Sequence, residues 1–411
     1  MTRRILAIGF IFVCTAVAWV ILGSTIFERS ESFGPALKAR VAATWGAPHI
    51  QTPPRACYRR TVSELVERVV DGKNIAERAT RTSEHPLPLE TSSVHVGLDL
   101  EHRQKGLLWY STYKVDFSGE YTFRNSSGQD ETVWIQTDFP AARAIYDDFR
   151  ALINGQAVTP DHFQNKAVVQ AHIPAGQTLT YLVGYRSQGL DRWTYRFGGD
   201  VTQVRDFTLQ MKTNFDEIDF PEGTLSPAEK KPTQDGWLLT WRYRSMLSGF
   251  DIGMIMPQKL QPGPLAGQIS MFAPVSLFFF FFLIFIITTL RNIELHPMNY
   301  FFLAAAFFAF HLLLAYLVDH ISIHLAFAIS SLVSVFLVVS YLRLVVDMRF
   351  AAVEAGISQL IYLVLFSYAF FFKGFTGLMV TLGSVLTLFV VMQTTGRIRW
   401  TDKFGARVQP R

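Results

Sequence analysis

Apolar positions run unbroken over long stretches in six places along the chain, and alternate with polar ones in much of what lies between. The unbroken stretches are Ile5–Phe27, Met271–Leu290, Tyr300–Val318, Ile321–Leu342, Ile357–Phe372 and Phe375–Gln393. About 20 mainly apolar residues wound as α-helix cross a hydrocarbon core of about 30 Å. Within that core only a helix or a closed barrel satisfies its own backbone groups. The pattern therefore predicts a polytopic α-helical membrane protein with six transmembrane helices. The first run follows Arg3 and Arg4 and contains Ala16–Ala18, features that a secretory signal also has. Its 23 residues exceed the roughly 7–15 of a signal's apolar core, so an uncleaved membrane anchor is expected.

Past the first run the period changes twice. "ERSESFGPALKARVAATWG" is expected to extend the first helix or bend away from it, and "HIQTPPRACY" reads as extended, since paired prolines oppose helix. "RTVSELVERVVDG" predicts an amphipathic helix with Val62, Leu65, Val66, Val69 and Val70 on one stripe and Gly72 as its stop. From Val94 the period is two. "GLLWYSTYKVDF" carries Leu107, Trp109, Ser111, Tyr113, Val115 and Phe117 on one face, with Tyr110, Thr112, Lys114 and Asp116 on the other. Leu179, Tyr181, Val183 and Tyr185 alternate likewise, as do Phe207, Leu209 and Met211. Trp237, Leu239, Trp241 and Tyr243 alternate against Thr240, Arg242 and Arg244. Such strands bury one face and wet the other, and without intervening helices they suggest an antiparallel, sandwich-like domain. "IPAGQ" between two of them predicts a hairpin turn. The division expected is an anchor at 1–27, a helical and extended lead-in at 28–93, and a β-rich domain at 94–256. A Pro/Gly linker at 257–270, a five-helix cluster at 271–393 and a basic tail at 394–411 follow.

Charge then orients the chain. With the amino terminus inside, the inner segments hold Arg3, Arg4, Arg291, Arg343, Arg349, Arg397, Arg399, Lys403, Arg407 and Arg411, while the short outer loops hold only Lys373. Lys and Arg collect on the cytoplasmic side of membrane helices, so both termini are expected to be cytoplasmic and residues 28–270 outside. That outer region balances 27 Lys and Arg against 28 Asp and Glu. A nucleic-acid binder gathers basic residues on its folded domain, and no nucleic acid is expected as a partner. The expected surroundings are the lipid bilayer, with a membrane or periplasmic protein or a second copy of the chain as further candidate partners. Cys14 lies in the first apolar run and Cys57 outside it, so no internal disulfide is expected, and Cys57 reads as an inert, partly buried thiol.

Candidate chemistry is sparse. The chain has no "HExxH", no "GxSxG", no P-loop and no dinucleotide fingerprint. "SMLSGFD" lacks the nucleophile-elbow pattern, and "DEIDF" at Asp216–Phe220 reads as a solvated turn rather than a cation site. The strand aromatics read as core before they read as a glycan platform. Inside the apolar runs only His311 is ionisable near mid-span, and Ser330 and Ser334 share a helix face on which neighbours approach closely. "AYLVDHISIHLAF" sets Asp319, His320 and His324 between two runs. Asp319 reads as the N-cap of the following helix. His320 and His324 stand at the i, i+4 spacing of two metal ligands, with no further carboxylate or cysteine nearby. No catalytic, cofactor-binding or metal site is assigned.

Several segments resemble the CreD family of bacterial inner-membrane proteins. They are "HPMNYFFLAAAFFAFHLLLAYLVDHISIHLAF" at His296–Phe327, the closing "TGRIRW", and "TWGAPHIQTPP" with Trp45, Gly46, Gln51 and Pro54. "EHRQKGLLWYSTYKVDFSGEYTF" adds Arg103, Gly106, Tyr113 and Gly119. The chain departs from the family's pattern near "GTLSPAEKKPTQDGW". The resemblance implies an anchor, a periplasmic domain and a carboxy-terminal helix cluster, in a protein that supports cell-envelope integrity or the envelope-stress response without enzymatic activity. Two alternatives stand beside it. One is a periplasmic ligand sensor or adaptor that signals through a partner. The other is a metal-dependent hydrolase at the membrane boundary using Asp319, His320 and His324.

Overall fold

A computed structural model describes residues 2–70, 73–105, 108–198, 202–372 and 374–396. The chain forms two compact units. One comprises Met1–Ala36, Gly106–Leu108 and Leu260–Arg411, and the other Leu37–Lys105 and Trp109–Lys259.

The first unit is helical. Helix α1 runs Thr2–Trp45, α2 Pro262–Leu290, α3 Pro297–Leu317 and α4 Ile323–Val345. Helix α5 covers Phe350–Phe371 and α6 Thr376–Thr395. Each of the six contains a stretch long and apolar enough to cross a membrane, that of α1 being Arg3–Glu28. Two boundaries differ from expectation. The expected linker at 257–270 is helical from Pro262, because a proline in the first turn gives up only an N–H with no helical partner. Helix α5 starts at Phe350 rather than Ile357. The basic tail beyond Gly396, with Arg397, Arg399, Lys403, Arg407 and Arg411, lies outside the described residues, as does Lys373.

The phenylalanine run of α2 divides its faces. Leu277, Phe280, Phe281 and Ile284 are buried, with the Phe280 ring 4.6 Å from that of Phe307 on α3, while Phe278 is 52% exposed. Trp19 of α1 packs into the same core, its ring 5.6 Å from Phe308 and 5.5 Å from His311.

The second unit is β-rich, with the last turns of α1 at its start. Its strands are β1 His49–Gln51, β2 Arg55–Val70, β3 Lys73–Pro86, β4 Leu89–Lys105, β5 Leu108–Arg124, β6 Glu131–Asp138, β7 Tyr146–Ile153 and β8 Gln156–Val158. They continue with β9 Asp161–Phe163, β10 Lys166–Ile173, β11 Thr178–Leu190, β12 Arg192–Tyr195, β13 Thr202–Thr213, β14 Glu229–Pro232, β15 Trp237–Ser248 and β16 Ile252–Ile255. An eight-stranded sheet has the order β14-β15-β13-β4-β5-β11-β7-β8, a five-stranded sheet β3-β2-β6-β10-β9, and a small sheet β1-β12-β16. Pairing is mainly antiparallel, as expected of a sandwich, but β13 runs parallel to β4 and β1 parallel to β12. One hydrophobic cluster joins the large sheets, from Val133, Ile135 and Val169 on one to Phe117, Tyr181, Leu209 and Trp241 on the other.

The period-two faces fall largely as read, with Trp109, Trp237 and Tyr243 half-buried. Ser111, Tyr113, Val115 and Phe117 are buried, and so are Leu179, Tyr181, Val183, Tyr185, Phe207, Leu209, Met211, Leu239 and Trp241. Leu107 lies outside the described residues. Tyr110, Thr112 and Thr240, assigned to the wet face, are buried as well, and the Thr112 hydroxyl is satisfied by the Glu101 carbonyl at 2.6 Å.

Two expectations are corrected. "RTVSELVERVVDG" is strand rather than amphipathic helix up to Val70, paired with β3 over fourteen rungs from Cys57↔Pro86 to Val70↔Lys73. Thr61, Val62, Val66, Val69 and Val70 are β-branched, stiff at χ1 and suited to a pleated ribbon, and that preference prevails over the apolar spacing. Gly72, read as the helix stop, lies outside the described residues. "IPAGQ" is a tight turn, with Gly176 at φ +73°, yet it joins no hairpin. It carries the chain from β10 in the five-stranded sheet to β11 in the eight-stranded one.

The end of α1 is fastened within the second unit. Lys38 pairs with Asp191 at 2.5 Å, and the Arg103 guanidinium lies 3.4 Å from the centre of the Trp45 ring. Gly46 ends the helix at φ +102°, where an added Cβ would collide with the Gln188 carbonyl oxygen. Gly46→Ala should therefore lower stability by roughly 3 kcal/mol or more, combining a left-handed backbone with a backbone collision. Gly128→Ala, at φ +76° with open space around it, should cost only about 1–2 kcal/mol. Thermal unfolding of the two variants, followed by near-ultraviolet circular dichroism, checks the difference.

Candidate ligand-binding cleft

Four prolines shape a cavity in the β-rich unit. Pro53 and Pro54 separate β1 from β2, and Pro86 and Pro88 stand where β3 gives way to β4. Proline donates no N–H and interrupts a ladder, so these segments form walls instead of extending strands. Together with Tyr195–Gly198 and Gln203–Arg205 they enclose a cleft of about 670 Å³, within the size range of small-ligand sites. Its floor is core: Ala56, Phe123, Tyr195 and Phe207 are all buried.

The β13 wall has an uncommon construction. Strand β13 pairs with β15 from Thr202 onward, but its parallel ladder with β4 begins only at Phe207↔Ser92. Between them Asp206 takes φ +36° and drops out of the β15 register. Past this break, Thr202–Arg205 keep β15 on one edge, and among the described residues no pairing covers the other edge.

Three arginines line the cleft, Arg55, Arg196 and Arg205, and no Asp or Glu does. Arg196 reaches Asp251 at 3.2 Å and Arg205 reaches Glu90 at 3.7 Å, both half-exposed pairs of the kind worth little. Thr52 Oγ1, in the opposite wall, is buried without a hydrogen-bond partner.

That wall depends on β1. The Tyr185 hydroxyl donates to Gln51 Oε1 at 2.6 Å, Gln51 Nε2 donates to the Thr52 carbonyl at 2.7 Å, and the Arg196 N–H donates to the Gln51 carbonyl at 2.8 Å. His49 is fully buried, its ring edge-on to Tyr113 at 5.7 Å. Burial pulls the His49 pKa down from 6.5 to about 4, so it is held as neutral imidazole.

The helical unit has its own polar interior. The Ser334 hydroxyl donates to the Ala306 carbonyl at 2.6 Å and accepts from Gln359 Nε2 at 2.7 Å, linking α3, α4 and α5. Ser330, one turn away on the expected face, is also buried. Helix α5 widens into π-type turns at Phe350–Ala355 and Leu360–Leu365, on either side of Gln359. Such turns often accompany functional positions. Glu354 in the first of them pairs with Arg291 at 2.5 Å. The sequence reading missed Glu354 because the apolar window was opened at Ile357. The available signal was a lone carboxylate in "AAVEAGIS", among small residues that continue the helix upstream.

The boundary residues come out otherwise than read. Helix α4 begins at Ile323 with Ser322 at its N-cap position, so Asp319 is not its cap. The N–H groups of Asp319 and His320 instead reach back to the carbonyls of Tyr316 and Leu317, which prolongs the end of α3 and delays the next helix. His320 therefore precedes α4 and does not share a helix face with His324, which is exposed with its ring 5.1 Å from that of Phe371. Among the described residues no three His, Cys, Asp or Glu side chains gather as metal ligands would. His311 is buried, with Nδ1 3.0 Å from the Phe307 carbonyl. Asp216, Glu217 and Asp219 are exposed in the loop after β13. Ser248 of "SMLSGFD" accepts from the Phe250 N–H at 2.9 Å in a local turn. Cys57 is half-buried on β2, and burial followed by nearby Glu84 pushes its thiol pKa up, away from reactivity.

The comparisons with known proteins bear on the helices. Residues 268–401 match the family model described as inner membrane protein CreD, so the resemblance read from the sequence is met there. No curated protein matches the chain. Among solved structures, a protein described as nutrient binding from Legionella pneumophila shares 11% identity, at a TM-score of 0.31 over 47% of this chain and 71% of its own. An M1 zinc metallopeptidase from Deinococcus radiodurans shares 12%, at 0.28 over 41% of this chain and 42% of its own. Likenesses this slight carry no argument about fold or activity.

Burial of neutral His49 should make the stability of the protein fall in acid. The histidine's folded pKa lies below the unfolded value, so its stabilising effect is complete above pH 6.5 and is lost as pH falls through about 4. The loss should approach about 3 kcal/mol at the acid end. His49→Gln takes up no proton there, and its stability relative to the parent should rise by that amount between pH 7 and 4. Chemical denaturation of both proteins across this range gives the difference.

Proposed function

We propose, on the premise of a CreD-type helical segment, that the chain is a non-enzymatic inner-membrane protein supporting cell-envelope integrity. In this reading both termini are cytoplasmic and residues 28–270 are periplasmic. The observation that carries it is the CreD match at residues 268–401, which falls on the helices α2 to α6. Six long apolar helices and the ten-to-one distribution of Lys and Arg support the membrane location and its orientation.

The non-enzymatic part rests on the chemistry of the described residues. The hydrogen-bonded Ser83–His85 pair, at 2.9 Å, stands half-buried on β3 beside the Tyr58 ring and does not line the arginine cleft. Among the described residues no carboxylate hydrogen-bonds to His85 to orient it as a base. Asp319, His320 and His324 offer a metal no converging ligand set.

One observation favours a second role alongside the first. A cleft of about 670 Å³ lined by arginines and no acid suits a ligand sensor or adaptor. A partner protein in the membrane or periplasm, or a second copy of the chain, would then relay occupancy.

Deletion of the gene in its own host tests the integrity role. The deletion strain should become more sensitive to wall-active antibiotics and detergents, and both the wild-type gene and the His320→Ala/His324→Ala double variant should restore resistance. Unchanged sensitivity to every agent would contradict the envelope role. Failure of the double variant at wild-type protein level would revive the hydrolase.

A further inference from the structure

The open edge of β13 and the arginines beside it belong to one cavity, and their combination defines a ligand more narrowly than the cavity's size does. In an antiparallel pair, successive residues direct their N–H and C=O groups to opposite edges. With β15 on one side, every second residue of Thr202–Arg205 therefore turns a donor and an acceptor toward the other, where no pairing among the described residues meets them. Such an edge is a ready template for an added strand. Here it opens into a walled cleft, which restricts what can be added to a single extended chain.

The remaining lining sets the side chains. Phe123, Phe207 and the four prolines offer apolar contact, while the charged lining is Arg55, Arg196 and Arg205, the last two facing Asp251 and Glu90 in half-exposed pairs that a ligand carboxylate can exchange with. Arg55 is exposed and has no ion pair among the described residues. Arginine's planar fork holds a carboxylate through two hydrogen bonds. Strand addition takes affinity from the main chain and specificity from alternate side chains. An alternation of acidic and apolar residues is what this lining complements.

We propose that the cleft binds an extended acidic peptide segment, paired as a strand along Thr202–Arg205 with its carboxylates on Arg55, Arg196 and Arg205. The segment belongs to a partner protein. The proposal rests on the reading of the cleft as a ligand site and is separate from the integrity phenotype.

The test uses the full chain purified in detergent and a fluorescein-labelled hexapeptide of alternating Glu and Val, followed by fluorescence anisotropy. Two further probes have the same length: Lys in place of Glu, and the Glu peptide with alternate backbone nitrogens methylated. The Glu peptide should bind, the Lys peptide should not, and methylation should weaken binding at least tenfold. Arg55→Glu/Arg205→Glu should also weaken it at least tenfold, with an unchanged thermal midpoint showing the fold intact. Equal binding of the methylated peptide would overturn strand pairing, leaving at most a site for a small anion. Equal binding of the Lys peptide, or displacement of the Glu peptide by phosphatidylglycerol micelles with no effect of the arginine changes, would also overturn the proposal. No binding of any probe, in a protein whose deletion sensitises cells, would remove the peptide ligand and leave the envelope role standing.

Discussion

Large apolar side chains on the outward faces of long helices are the constraint on which the rest of this protein depends. Leu332 and Phe336 on α4 are 72% and 69% exposed, and Leu6 and Phe10 on α1 are 68% and 70% exposed. Soluble proteins rarely present contiguous surfaces of this kind. In the proposed bilayer they face lipid, and the hydrophobic effect is met by the surroundings rather than by packing. The inward faces are left to bury the few polar groups, as Ser334 and Gln359 do through hydrogen bonds between helices. An apolar exterior with polar links inside reverses the rule that the β-rich unit obeys.

That second unit solves the ordinary problem of a water-soluble fold. Its sheets hide alternating aromatics such as Tyr113, Phe117, Tyr181 and Trp241, and leave Lys114, Asp116 and Arg186 on the surface. Some buried hydroxyls find partners, as Tyr113 does on the Arg192 carbonyl at 2.8 Å, while Thr52 Oγ1 at the cleft does not. Among the described residues, regular pairing breaks where the prolines and Asp206 open the cleft and again between Gly184 and Arg186, where β11 shifts register against β7, and locally irregular backbone of the first sort commonly serves a function.

Much of this was legible in the sequence because the two solutions have different periods. Unbroken apolar runs marked all six helices, and alternation marked the strands together with the side each buries. Ambiguity entered where one stretch satisfied two patterns. Residues 61–70 carry apolar residues at helical spacing, but they are rich in β-branched types and the strand won. Asp319 has the chemistry of an N-cap, yet backbone closure at the end of α3 claimed its position. Glu354 fell outside a window drawn on hydropathy alone. The cleft could not have been read at all: its walls come from four separated segments, and its open edge is a fact of register. Only "TPPR" and "PLPL" hinted that strands would be interrupted there.

The proposed orientation puts residues 28–270 outside the cytoplasm and both termini within it. Paired reporter fusions test it most directly, one junction after Gln261 and the other after Arg399. Alkaline phosphatase, active only outside the cytoplasm, should be active at the first and silent at the second, and a cytoplasmic fluorescent reporter should give the opposite pattern. Phosphatase activity at Arg399 with silence at Gln261 would contradict the account.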